Sequence, residues 1–114
     1  MNSDVLIIGA GTAGLTAAHE LLKCGIHPQI IDEAEEVGSS WRRRHEQLHL
    51  NTYRPYSSLP GAPLPRHYGV YVRRDDFISY LEEYTANMDQ PIRFGVNARK
   101  ISRNGNEGWL VDTD

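Results

Sequence analysis

The feature that most constrains this chain is a unit running from Asp4 to Asp32. An uninterrupted apolar run, Val5-Leu6-Ile7-Ile8, leads into Gly9-Ala10-Gly11-Thr12-Ala13-Gly14. Leu15, Ala18 and Leu22 follow at i, i+3 and i+7, the spacing of one helix face, and the pattern continues to about Lys23. Gly25 is a helix stop, and Pro28 stands just beyond it, where a helix cannot continue. A second apolar run, Gln29-Ile30-Ile31, ends on the acid Asp32. The order is strand, tight turn, helix, strand. Val5 to Ile8 show no polar alternation, which predicts a strand covered on both faces. Gly9 permits the turn, Gly11 lets bare backbone approach a ligand, and Gly14 lets the helix lie close on the strand. The helix start at Thr12 and Ala13 directs free N–H groups and the positive dipole end toward an anion. Asp32 stands eighteen residues after Gly14, where a carboxylate can accept hydrogen bonds from a ribose. Strand, helix, second strand and acid all fall in register, and together they read as a dinucleotide site gripping pyrophosphate and ribose.

With 114 residues the chain suits one small domain with one core, so 1–114 is expected to be a single unit. A net charge of −3 lacks the basic bias of nucleic-acid binding. One cysteine, Cys24, excludes an internal disulfide and fits a reducing compartment; its helical setting predicts a small packed residue. The start, Met1-Asn2-Ser3-Asp4, has no cationic region, and the apolar run after it is too short for a signal peptide or a membrane span. A soluble, cytoplasmic protein is expected, with no membrane or nucleic-acid partner.

After Asp32 comes an acidic stretch, Glu33-Ala34-Glu35-Glu36, which reads as a solvated loop or short helical turn. Val37-Gly38-Ser39-Ser40-Trp41-Arg42-Arg43-Arg44 follows. Glycine and serines make an open turn with free backbone donors. The arginines suit a pyrophosphate or the electron-rich end of a flavin, because guanidinium pairs with phosphate two-pronged. A surface loop with a basic cluster fits these residues equally well.

At this point the chain resembles the FAD-binding start of flavin-dependent monooxygenases, the flavin-containing, Baeyer–Villiger and YUCCA-type enzymes. The resemblance rests on the glycine turn, the acid ending the second strand, and the glycine-rich turn closed by Trp41. The family usually has Glu at the position of Asp32, and Gly-Gly-x-Trp where this chain has Gly38-Ser39-Ser40-Trp41. Leu48 to Gly61, with Asn51 and Thr52, resembles the segment that passes the flavin ring. It implies Asn51 or Thr52 as the polar residue beside the reactive part of the cofactor. The resemblance further implies FAD along Gly9 to Gly14, Asp32 on the ribose, Ser39 to Arg42 at the middle of the cofactor, and backbone near Ala98 at the adenine.

His45-Glu46-Gln47-Leu48-His49 matches H-E-x-x-H, which binds zinc only when both imidazoles share a helix face. Pro55 and the residues before it break any helix soon after, so no metal site is expected and these histidines read as loop residues. His19, His27 and His67 read as surface or cap residues. Pro60 to Pro65 reads as an ordered loop, and Tyr68 to Tyr71 as a short extended piece. Arg73-Arg74-Asp75-Asp76 opens a helix whose Phe77, Leu81, Tyr84 and Met88 form a buried stripe. Ile92 to Phe94 reads as a third parallel strand. Ala98 to Ser102 and Trp109 to Asp112 read as a hairpin around Asn104-Gly105, with Trp109 a packing residue.

The expected fold is therefore α/β: a partial Rossmann-like FAD-binding domain with a parallel βαβ core, a long crossover of loop and helix, and a C-terminal β-hairpin. The family's Ala-Thr-Gly strand, its second glycine motif for NADPH and its fingerprint between the two sites do not appear. The expectation is an incomplete unit without independent activity, with an unpaired sheet edge prone to self-association. The leading function is the FAD-binding portion of an NADPH-dependent monooxygenase. The rivals are a non-catalytic nucleotide-binding module or remnant, and part of an NAD-dependent Rossmann dehydrogenase, which Asp32 permits.

Overall fold

A computed structural model describes residues 3–114; Met1 and Asn2, the first residues of the start without a cationic region, lie outside the described residues. The chain order is β1 (Leu6–Ile8), α1 (Thr12–Lys23), β2 (Gln29–Asp32), α2 (Ser39–Arg42), α3 (Arg74–Asn87), β3 (Ile92–Phe94), β4 (Ala98–Arg103) and β5 (Trp109–Thr113). Two 3-10 turns, Arg54–Tyr56 and Arg66–Tyr68, interrupt the long crossover between α2 and α3. The βαβ core and the hairpin stand where periodicity predicted them.

The sheet runs β1-β2-β3 and is parallel throughout. Ile7 lies opposite Ile30, and Ile31 lies opposite Arg93. β2 is the central strand, and its Ile30 and Ile31 are buried. β1 is not covered on both faces as its unbroken apolar run implied. Among the described residues it is an edge strand, Leu6 and Ile7 are half-buried, and Ile8 is 48% exposed because its side chain faces an open cleft.

Helix α1 starts at Gly11 without a side-chain cap and stops in two turn bonds, Cys24 N–H to Leu21 and Gly25 N–H to Leu22. Gly25 takes the left-handed conformation (φ 78°) that such a stop requires. The expectation of a packed Cys24 is overturned: it is exposed, because the C-cap position rotates it off the face carrying Leu15 and Ala18.

Leu15 and Ala18 of α1 meet Ile30 of β2, Val72 of the crossover, and Phe77 and Leu81 of α3 in one core. Full burial of a residue such as Leu15 contributes about 2 kcal/mol. The α3 stripe is wider than Phe77, Leu81 and Tyr84, since Ile78 and Tyr80 are buried too; Met88 is half-buried at the helix end.

Two tyrosines of α3 tie down the proline-rich loop. The Tyr80 hydroxyl accepts from the Leu59 N–H (2.8 Å) and donates to the Ala62 carbonyl (2.5 Å). The Tyr84 hydroxyl donates to the Pro60 carbonyl (2.8 Å). Burial raises the pKa of both hydroxyls above the ordinary tyrosine value, because a phenolate in that setting loses its hydration. His19 is no simple surface residue. It packs in the gap between Tyr84 and Gly61, where a Cβ on Gly61 would come 2.6 Å from the His19 Nε2.

Residues 68–71 do not pack as an extended piece. Tyr68 ends a 3-10 turn, and Val70 and Tyr71 are more than half exposed. Trp109 is likewise not a packing residue. It is 64% exposed, and its only ring partner among the described residues is the Arg103 guanidinium 5.0 Å above it. β4 and β5 pair antiparallel with a register shift at Arg99, and as a two-stranded ribbon they leave side chains open on both faces.

Candidate cofactor site

The site begins where β1 ends. The Gly9 N–H donates to the Ile31 carbonyl (2.8 Å), continuing the strand pairing one residue past Ile8. Gly9 then turns the chain at φ 108°, which a side chain at this position rarely permits. Close packing of helix on turn is literal at Gly14, where a Cβ would lie 1.9 Å from the Gly9 carbonyl oxygen. At Gly11 a Cβ would meet nothing within 4 Å, so that face of the turn is open to a ligand. The first intrahelical bond is Leu15 N–H to Gly11, which leaves the amides of Thr12, Ala13 and Gly14 ahead of it without helical partners.

Asp32 closes the other side. Its Oδ2 accepts from the Ala10 N–H at 2.6 Å and its Oδ1 from the Ala34 N–H at 2.8 Å. The chain returns to the same place after α3. The Val96 N–H donates to the Asp32 carbonyl and the Gly95 N–H to the Ala34 carbonyl, so residues 96–98 border the cleft beside the acid. Gly95 makes this return with φ 71°.

The third wall is Gly38 to Trp41. Sequence reading gave an open turn; the structure makes it a cap and a short helix, with Gly38 at φ 79° and α2 behind it. Trp41 packs edge-on against Phe77 at 5.1 Å, which fixes α2 on α3. A cleft of about 400 Å³ lies between these walls. Of the expected residues, Gly9, Gly11, Asp32, Gly38, Ser39, Ser40, Trp41 and Ala98 all border it.

Other expected residues do not line the cleft: Thr12, Ala13 and Gly14 lie just past Gly11 at the start of α1, and Arg42, Asn51 and Thr52 stand elsewhere. Arg42 turns away from it: its Nε donates to the Val37 carbonyl (2.9 Å), and its guanidinium faces Glu36 and Glu82, each at 3.5 Å. Asn51 and Thr52 are exposed on the crossover outside it, where the Thr52 hydroxyl meets that of Ser57. The helix that H-E-x-x-H requires does not form. His49 sits in a β-bridge opposite Arg73, with its Nδ1 3.0 Å from the Gln47 carbonyl.

Glu33, Glu36, Leu81, Val96 and Asn97 also line the cleft, and sequence reasoning missed them in this role. Glu33 and Glu36 had a signal in their closeness to Asp32. Val96 and Asn97 adjoin Ala98, but nothing local announces that the chain returns there. The lining holds three carboxylates and no lysine or arginine, while the amides at the start of α1 adjoin it at Gly11. That division suits a ligand with an anionic centre and a neutral, hydroxyl-bearing end. The volume falls within the roughly 300–1,000 Å³ typical of ligand clefts. The glycine cradle and the donor set therefore fit a dinucleotide.

Comparison with known proteins agrees with this geometry. The sequence matches indole-3-pyruvate monooxygenase YUCCA1 of Oryza sativa subsp. japonica at 32% identity over 96% of this chain and 27% of that protein. It matches the uncharacterized oxidoreductase CzcO of Bacillus subtilis at 36% identity over 97% of this chain and 32% of that protein. The fold superposes on a flavin-containing monooxygenase from Stenotrophomonas maltophilia with a TM-score of 0.89 and 31% identity, covering 97% of this chain and 33% of that one. The chain thus spans between a quarter and a third of the length of these relatives. The pattern of the NAD(P)-binding Rossmann-like domain family matches residues 7–71, more than half of the sequence, and the chain belongs to that family.

Proposed function

We propose that this chain is the FAD-binding portion of a flavoprotein oxidoreductase, an NADPH-dependent monooxygenase in kind. The observation that carries the reading is the convergence of four separate segments on one cleft: the Gly9–Gly11 turn, Asp32, the Gly38–Trp41 cap and residues 96–98. In this reading the amides of Thr12, Ala13 and Gly14 face the pyrophosphate, where the helix dipole and free donors favour negative charge. Asp32 offers its remaining lone pairs to the ribose hydroxyls. Ser39, Ser40 and Trp41 flank the middle of the cofactor, and backbone at Ala98 borders the adenine. Arg42 acts through α2, bracing the cap against Glu36 and Glu82. Asn51 and Thr52 stand on the segment assigned to the ring side.

FAD, when bound, supplies two-electron redox chemistry; this chain orients it and shields its nucleotide end from water. The second glycine turn that NADPH requires in such enzymes is not in the sequence, so these 114 residues are a cofactor cradle and do not turn over by themselves. No helix among the described residues is long and apolar enough to cross a membrane, which is compatible with a cytoplasmic setting.

Titration of FAD into the purified chain, followed by flavin fluorescence, tests the reading, with NAD as competitor. Saturable binding that NAD displaces poorly is the expected result. A cooperatively folded chain that takes up NAD and not FAD transfers the site to the dehydrogenase reading. One that takes up neither leaves a remnant without a ligand.

A further inference from the structure

The long crossover carries a charge that the cofactor cleft does not use. From Arg42 to Arg74 it holds seven arginines and a single acid, Glu46, in a chain of net charge −3. Arg42 is answered by Glu36 and Glu82, and Arg74 by Asp75. Arg54 and Arg66 have no carboxylate partner among the described residues, and both line one open hollow of about 1060 Å³. Among the described residues that line this hollow, none is acidic and none belongs to the cofactor cleft.

The walls are built before any ligand arrives. Leu59 and Leu64, both buried, give the hollow an apolar lining, and Tyr53 adds an aromatic one. The Leu64 N–H donates to the Ser58 hydroxyl oxygen (2.8 Å), Leu59 and Ala62 pair in a β-bridge, and Tyr80 of α3 holds both of them. Arg54 is half-buried. Its Nη1 donates to the Gly69 carbonyl (2.8 Å) and lies 3.5 Å from the Arg66 carbonyl, which sets the guanidinium against the turn that Arg66 begins. Its Nε and Nη2 have no acceptor among the described residues, and the Arg66 guanidinium has none at all. Two like charges that share a hollow with no acid between them repel, and an anion seated there removes that cost.

We propose that this hollow is a second ligand site, which takes an organic dianion with a flat apolar body. Two guanidiniums match two negative charges and grip oxyanion oxygens in two-pronged pairs. Tyr53, Leu59 and Leu64 give the apolar body its contact surface, the division of labour usual in ligand sites. A phosphate monoester and an aryl dicarboxylate share this chemistry. The site stands independently of the FAD reading and is tested without flavin.

Phenyl phosphate and phenylmalonate are titrated separately into the 114-residue chain at about pH 7.5, where a phosphate monoester is mainly a dianion, and amide shifts are followed by NMR. Saturable shifts centred on Tyr53, Arg54, Leu59 and Leu64 are expected with at least one probe, and the tighter probe tells phosphate from dicarboxylate. Benzyl alcohol, which keeps the ring without the charge, should not saturate. Arg66→Gln removes a charge that no group among the described residues holds, so the fold is kept and Kd should rise at least about tenfold. Arg73→Gln, an exposed arginine outside the hollow, should leave Kd unchanged. The proposal is overturned if neither probe saturates, if benzyl alcohol binds as tightly, or if Arg66→Gln keeps the wild-type Kd. It is also overturned if Arg73→Gln weakens binding as much, which reduces the effect to general surface charge. Shifts centred on Gly11 to Ala13 instead assign the anion to the cofactor turn and overturn it too.

Discussion

Replacing Tyr80 by Phe removes one oxygen atom and tests how the crossover is held. The ring stays stacked near Phe77 (centroids 5.7 Å apart), so packing is kept and only the hydroxyl is lost. That hydroxyl accepts from Leu59 N–H and donates to Ala62 O. Leu59 is 7% exposed, so its amide has no water to turn to. Leaving a buried donor unsatisfied costs about 1–3 kcal/mol, which makes ~2 kcal/mol the expected loss. Tyr84→Phe is the internal control. It removes one donor to the Pro60 carbonyl, a half-buried acceptor that solvent can reach, and ~1 kcal/mol is expected. For a chain of this length 1 kcal/mol corresponds to roughly 4 °C in Tm, so the two variants should melt about 8 °C and about 4 °C below wild type. Urea denaturation with a common m-value checks both. If Tyr84→Phe costs as much as Tyr80→Phe, the buried amide is not the controlling group and the reasoning fails.

The same hydroxyls predict an alkaline response. Their pKa values are raised above 10.0 in the folded chain, so the stability they confer is whole below pH 10.0 and is lost as pH climbs through the raised values. A urea midpoint that falls above pH 10, with a shallower fall in the Tyr80→Phe/Tyr84→Phe double variant, is the expected outcome. The glycines of the turn should separate cleanly. Gly14→Ala drives a methyl into the Gly9 carbonyl and costs ~3 kcal/mol or more of stability. Gly11→Ala, at φ −78° with open space around it, should leave Tm within a degree or two and show its effect only in flavin affinity. The open outer side of β1 predicts association that rises with concentration in sedimentation velocity, and a strictly monomeric chain at high concentration would remove that expectation.

What the sequence determined by itself is short-range. The unbroken apolar runs, the i, i+3, i+7 stripe and the glycines at fixed offsets specified β1, α1 and β2, because each pattern is read by backbone geometry within a few residues. The Asn104-Gly105 turn specified the hairpin for the same reason. The cleft was legible where glycine and acid carry conformational or chemical meaning of their own, at Gly9, Gly11, Asp32 and Gly38.

Tertiary structure decided the partners. Arg42 reads as a phosphate ligand until folding sets Glu82 of α3 beside it and turns the guanidinium away from the cleft. Ile8 reads as core until its side chain is found facing the cleft, and Trp109 until its hairpin is found uncovered. The tethers from Tyr80 to Leu59 and Ala62 span 21 and 18 residues, and no local periodicity records them. Asp32 shows both levels at once. Its position could be counted from Gly14, but its grip on Ala10, 22 residues away, exists only once β1 and β2 lie side by side and Gly9 has turned the chain toward it.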